Sequence, residues 1–139
     1  MEIKTVFELA EQNRVTVDYF PLPRSGAMSL CFDGSCYIAI DPWQLKGDAD
    51  EKVKLCHELG HCVTGSFYSP DNYCDLRGRH EYRANKWAVR QLVPLEDLRE
   101  AISAGYTEPW ELSEYFDVPE AFMRRACEYY RSHGFSGKK

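Results

Sequence analysis

His57-Glu58-Leu59-Gly60-His61, set within the stretch Glu51 to Thr64 (EKVKLCHELGHCVT), reads H-E-x-x-H inside a helical pattern. Each helical residue turns about 100°, so His61 falls about 40° from His57 and both imidazoles share one face. Leu55, Leu59, Cys62 and Val63 fall on roughly the opposite side, and Cys56 lies towards it. One side of the helix is therefore apolar and packs on a sheet, while the other presents two histidines with Glu58 on their flank. Two histidines one turn apart can grip one metal ion, and a neighbouring glutamate can take a proton from an activated water, which is the donor pattern of a zinc hydrolase. H-E-x-x-H also arises by chance, as two surface histidines beside a glutamate, so more of the chain is needed to choose.

A tetrahedral zinc site that keeps one open position needs a third protein ligand. Glu81 is the candidate. In a second helix over about 79–92, Ala84, Asn85, Ala88 and Leu92 share its face, whereas Arg83, Lys86 and Arg90 lie on the other side. A carboxylate on a core-facing stripe is costly unless it is paired or bound to metal, and the alanines let this helix approach another closely. The alternative is a first-turn acid favoured by the helix dipole. Asn85, one turn on, is a candidate to accept the free N–H of a ligating histidine, with His57 the nearer partner; a polar residue at the core edge explains it equally well.

Around these two helices the pattern is mixed. Residues 3–13 are helical in period, and Val15, Val17 and Tyr19 alternate as a strand. The runs AMSLCF and CYIAI bracket Asp33-Gly34-Ser35 and read as a β-hairpin. Asp48 reads as the N-cap of the metal helix, with Glu51 its capping-box partner, and Gly65 stops that helix. A loop over about 65–78 precedes the second helix. Pro94 opens a third, and two more follow at about 108–116 and 119–132, separated by Asp117-Val118-Pro119. The expectation is an α+β fold in which a small antiparallel sheet packs on the H-E-x-x-H helix, followed by a helical C-terminal part at about 94–132, all one domain over residues 1–139.

With 44% hydrophobic residues the chain can form a packed core, and its net charge of −5 argues against general binding to nucleic acid or anionic membrane. There is no 18-residue apolar run for a membrane span. Met1-Glu2-Ile3-Lys4 lacks the apolar core of a signal peptide, so a cytoplasmic location and reduced thiols are expected for the six cysteines. Cys31 and Cys36 flank the hairpin turn and could cross-link under oxidation, but two small strand residues is the favoured reading. Cys56 and Cys62 read as small core residues. Cys74, in the loop, could reach the metal and hold the site latent, though a plain loop cysteine is favoured.

HELGHCVTGSFYSP (57–70) followed by HEYRANKWAVRQLVP (80–94) resembles the ImmA/IrrE family of metallo-endopeptidases, whose pattern is H-E-x-x-H, a loop, then E-x-x-A-[ND]-x-[FW]-A before a short apolar run and proline. Glu81, Ala84, Asn85, Trp87, Ala88 and Pro94 supply that order here. The resemblance implies a zincin-like fold, with zinc carried by His57, His61 and Glu81 and with Glu58 as general base. It also implies a protein substrate, in phage or mobile-element members a repressor with a helix-turn-helix domain. A second stabiliser for the developing oxyanion is needed; Tyr68, Tyr73, Tyr82 and His80 are all near enough in sequence. The strand around Cys36–Ile40 is expected to edge the cleft and to pair with an extended peptide.

The competing reading is a non-proteolytic, repressor- or DNA-associated module. TEPWELSEYFDVPEAFMRRACEYY looks like helix-turn-helix, yet residues 107–131 carry six acids against three arginines, and net −3 is a poor footprint for phosphates. No direct nucleic-acid contact is therefore expected. The basic run Arg77, Arg79, Arg83, Lys86 and Arg90 reads as a solvated helix face. A purely structural zinc site is disfavoured, because a closed site needs no base and usually uses cysteines.

Overall fold

The apolar residues of the metal helix decide how the chain packs: in the computed structural model Leu55, Cys56 and Leu59 are buried, whereas Cys62 is half-buried and Val63, near the helix end, is exposed. The structure describes residues 1–32, 34–65 and 74–133, without the side chains of residues 32 and 74–79. The order is α1 (Ile3–Gln12), β1 (Val15–Tyr19), β2 (Ala27–Phe32), β3 (Ser35–Ile40), a 3-10 turn (Pro42–Gln44), α2 (Asp48–Thr64), α3 (Cys74–Leu92), α4 (Leu95–Ser103), α5 (Pro109–Phe116) and α6 (Glu120–Ser132). This is an α+β fold, and six helices surround three strands among the described residues.

The apolar spacing explains the elements. Val6 and Ala10 are one turn apart on α1 and both are buried. Asn13 ends that helix, donating from Nδ2 to the Leu9 carbonyl at 2.8 Å. Ile38, Ala39 and Ile40 at the end of β3 are all buried, as expected of a central strand where it enters the core, while Tyr37 before them is exposed. Leu55, Cys56 and Leu59 on α2 are fully buried. They join one apolar cluster that takes in the sheet and helices α1 to α6, from Val6 to Tyr130. Gly65 closes α2 in the left-handed conformation, φ 69°, where a Cβ would be strained.

Three expectations need correction. First, the sheet is mixed, not antiparallel: its order is β1-β3-β2, with β2 antiparallel and β1 parallel to β3. The segment from Phe20 to Gly26 carries the chain from one edge to the other, and the hairpin then inserts β3 between the two earlier strands. Consequently Cys36–Ile40 does not edge the cleft. It is paired on both sides and closed to a peptide, whereas β2 has one neighbour. Second, α2 begins at Asp48 itself, with Gly47 as N-cap and no side-chain cap bond. Asp50, not Asp48, reaches back to the preceding loop, accepting from Lys46 N at 2.9 Å. Third, the backbone is helical from Cys74, earlier than 79. The glycine at position 78 costs a helix interior about 1 kcal/mol, which packing of α3 on α2 offsets.

The cysteines also depart from expectation. Cys36 on β3 and Cys62 on α2 form a disulfide with Cα atoms 6.0 Å apart. They sit where the central strand meets the flank of the metal helix, so Cys62 is not a plain core residue and Cys31 is not the partner of Cys36. Cys56 does behave as a core residue: it is fully buried, and burial pushes its thiol up to about 12. The Cys74 side chain lies outside the described residues.

Two polar groups fix the frame of the cleft. Asp41, buried at the end of β3, accepts from Leu22 N at 2.9 Å, Trp43 N at 3.1 Å and Gln44 Nε2 at 2.7 Å. It thereby pins the segment that carries Pro23, Arg24 and Ser25. Lys52, 2% exposed, donates from Nζ to the carbonyls of Met1 (2.8 Å) and Phe116 (3.3 Å) and lies 3.5 Å from Asp117. One buried ammonium thus ties the N-terminus and the end of α5 to α2.

Candidate metal centre

The centre forms where α2 crosses α3, and a glycine makes the crossing close. A Cβ built on Gly60 would stand 2.8 Å from the Ala84 carbonyl oxygen and 3.1 Å from Ala84 Cα. Real Cβ atoms do not approach a backbone oxygen that closely. Only glycine on α2, opposite a small residue on α3, lets the two backbones meet here. Glu81, three residues before Ala84 on α3, is thereby brought over the histidine face of α2.

His57, His61 and Glu81 each offer one donor atom, and these atoms lie within 4.8 Å of one another. His57 Nε2 is 2.9 Å from Glu81 Oε1 and His61 Nε2 is 3.2 Å from Glu81 Oε2. The imidazoles meet edge to face, with ring centroids 4.8 Å apart. Their environments differ. His61 is buried, His57 is 19% exposed and Glu81 is 35% exposed, so the cluster is closed from below and open on one side. Two imidazoles and a carboxylate aimed at one point, with one side open, form a donor set that fits a divalent ion with room for a further ligand.

Two adjoining grooves, of about 860 Å³ and 570 Å³, run past this cluster. Ala27, Met28 and Ser29 of β2 form one wall of the larger, across from His57, Glu58 and His61. The smaller continues towards Lys54, Asn85 and Arg125. Glu58 borders both. Its carboxylate accepts from Ser29 Oγ, with Oε1 at 2.6 Å.

The other sequence candidates are placed as follows. Asn85 lines the smaller groove one turn beyond Glu81, but no hydrogen bond joins it to His57 among the described residues. The Tyr82 hydroxyl is 2.9 Å from His133 Nε2 and faces a separate groove between α3 and α6. His80 is half-buried, one residue before Glu81. Tyr68 and Tyr73 lie outside the described residues. Sequence reasoning missed Ser29 and Lys52. The strand alternation that puts Ser29 on the same face as buried Ala27 could have flagged the first, and a lysine among the buried positions of α2 the second.

No helix among the described residues is long and apolar enough to cross a membrane. A comparison with curated proteins found no match. A family profile, described as the IrrE N-terminal-like domain (Peptidase_M78), matches residues 3–128, which takes in the sheet, both metal-site helices and most of α6. The chain therefore belongs to the IrrE N-terminal-like, Peptidase_M78 family, a family of metallopeptidases.

Proposed function

We propose that this chain is a zinc-dependent endopeptidase in which His57, His61 and Glu81 hold the metal and Glu58 is the general base. The observation that carries the reading is the convergence of three donor atoms within 4.8 Å, beside a carboxylate that borders the same groove. Nitrogen and oxygen donors in this number suit zinc, and a catalytic site of that type keeps one position open. When bound, the ion supplies Lewis acidity, bringing the pKa of water to about 7 and polarising the scissile carbonyl.

The chain's own groups supply the other functions. Glu58 takes the proton of the attacking water and returns it to the leaving amine. The free edge of β2, along the groove wall, offers unpaired backbone groups to an extended polypeptide, the role first expected of Cys36–Ile40. The substrate in this reading is a protein, a helix-turn-helix repressor of a phage or integrative element, and the setting is the cytoplasm. Residues 1–139 act in it as one catalytic unit. Asn85 is left in the groove wall, outside the ligand set.

The test pairs metal analysis with cleavage of a purified helix-turn-helix repressor by wild type, Glu58→Gln and Glu81→Ala. Glu58→Gln is expected to keep the metal and to lose cleavage by about 100-fold or more. Glu81→Ala is expected to bind zinc at least about 100-fold more weakly, beyond what loss of an outer-shell partner costs. Normal cleavage by Glu58→Gln overturns the general-base assignment.

A further inference from the structure

A general base must do more than be present. It must hold its carboxylate still, with one oxygen free for the proton it takes. Glu58 is poorly placed to do this alone. It projects from the flank of α2, and a glutamate side chain has considerable rotamer freedom to lose on being fixed. Among the described residues the one hydrogen bond to its carboxylate comes from Ser29.

Ser29 itself is rigidly set. It lies on β2 opposite Ile38 of β3, which is 2% exposed. Alternation sends Ser29 and buried Ala27 to the face of the sheet that packs on α2, and sends Met28 and Leu30 to solvent. Its Oγ therefore reaches Glu58 from a strand, not from a loop. At 2.6 Å the contact falls within the short range of a hydroxyl donating to a carboxylate. It engages Oε1 and leaves Oε2 without a hydrogen bond among the described residues.

We propose that Ser29 is a positioning residue for Glu58: its hydroxyl anchors one carboxylate oxygen so that the other faces the groove and the reacting water. This rests on the reading of Glu58 as general base. It also gives β2 two tasks. Its outer edge receives the peptide, and its inward-facing serine orients the base. A substrate that settles in register on β2 is thereby indexed to the group that attacks it. Ser29 touches neither substrate carbonyl nor metal in this account and acts only through Glu58.

The experiment compares wild type, Ser29→Ala, Ser29→Thr, Glu58→Gln and the Ser29→Ala/Glu58→Gln double variant as full chains loaded with zinc. Zinc affinity is measured by chelator competition, turnover on a pool of quenched-fluorescent peptides, and the Glu58 side chain is observed in crystals. Ser29→Ala is expected to lower kcat about 10- to 100-fold, part of what a general base supplies. Its KM and zinc affinity should stay within about twofold, since orientation of the base and not binding is lost. Ser29→Thr, which keeps the hydroxyl, should recover most of the rate. The alanine should add nothing in the Glu58→Gln background, as expected of two residues acting as a unit.

In Ser29→Ala crystals Glu58 should leave its wild-type orientation, a readout that does not depend on turnover. An unmoved Glu58 carboxylate, a Ser29→Ala enzyme as fast as wild type, or a zinc affinity that falls with the rate each overturns the proposal. If Glu58→Gln itself cleaves normally, the base assignment fails instead, so the two failures are distinguishable.

Discussion

Glu81 shows what a single side chain contributes. Each of its oxygens faces a different imidazole, at 2.9 and 3.2 Å, and this turns two helical histidines into a three-donor cluster. Asp41 does comparable work on the cleft wall. Three N–H donors converge on it, and those bonds, the one from Leu22 above all, hold its carboxyl below the ordinary carboxylate range. Because its folded value is depressed, the stability it contributes is present above the unfolded pKa of about 3.9 and is lost as pH falls through the folded value. Asp41→Asn should therefore melt at a lower temperature than wild type at pH 7, and the gap should close as the pH drops below about 4. Calorimetry from pH 7 to 3 checks this; a gap that is constant with pH contradicts it. Helical angle arithmetic is local, and it made legible the shared face of His57 and His61 and the core-facing side of Glu81, whereas their meeting depends on the crossing of α2 and α3. Ser29 was not legible, since its distance from Glu58 depends on strand register and sheet packing. The bond expected between Asn85 and His57 needed a side-chain direction that spacing does not specify.

Among the elements, the crossing of α2 and α3 matters most. Gly60 and Ala84 set its depth, and the obstacle to a larger residue is backbone, which cannot swing aside. Gly60→Ala should force the helices apart, costing about 1–3 kcal/mol of stability. It should also weaken zinc binding, because Glu81 moves with α3. Denaturant melts and a zinc titration on the same variant test this; unchanged zinc affinity in a destabilised protein would separate the crossing from the site. The alanines of α3 announced a close approach in the sequence, and the ends of α1, α5 and α6 and the start of α4 fell close to their expected places, since caps and prolines act locally. The partners of the strands did not. Alternation identifies β1, but nothing in it says whether a distant neighbour runs parallel or antiparallel.

For the whole molecule, long-range links join what the sequence keeps apart. Lys52 holds both Met1 and Phe116, and the Cys36–Cys62 disulfide joins the central strand to the metal helix across 26 residues. Neither carries a local signature, and the expectation of reduced thiols rested on the lack of a signal-peptide pattern at Met1-Glu2-Ile3-Lys4, which says nothing of this pair. The C-terminal helices bury Leu112, Phe116, Phe122 and Met123 in the common core. The α+β class was readable because the hairpin and the helices each have their own period, whereas the mixed sheet order emerges only when they assemble.

Anomalous diffraction at the zinc edge from zinc-soaked crystals decides whether two imidazoles and a carboxylate from a crossing helix hold one cation. A single strong peak is expected about 2.0–2.2 Å from nitrogens of His57 and His61 and from a Glu81 oxygen. A peak ligated elsewhere, or Glu81 turned away from both rings with zinc bound, would contradict that arrangement.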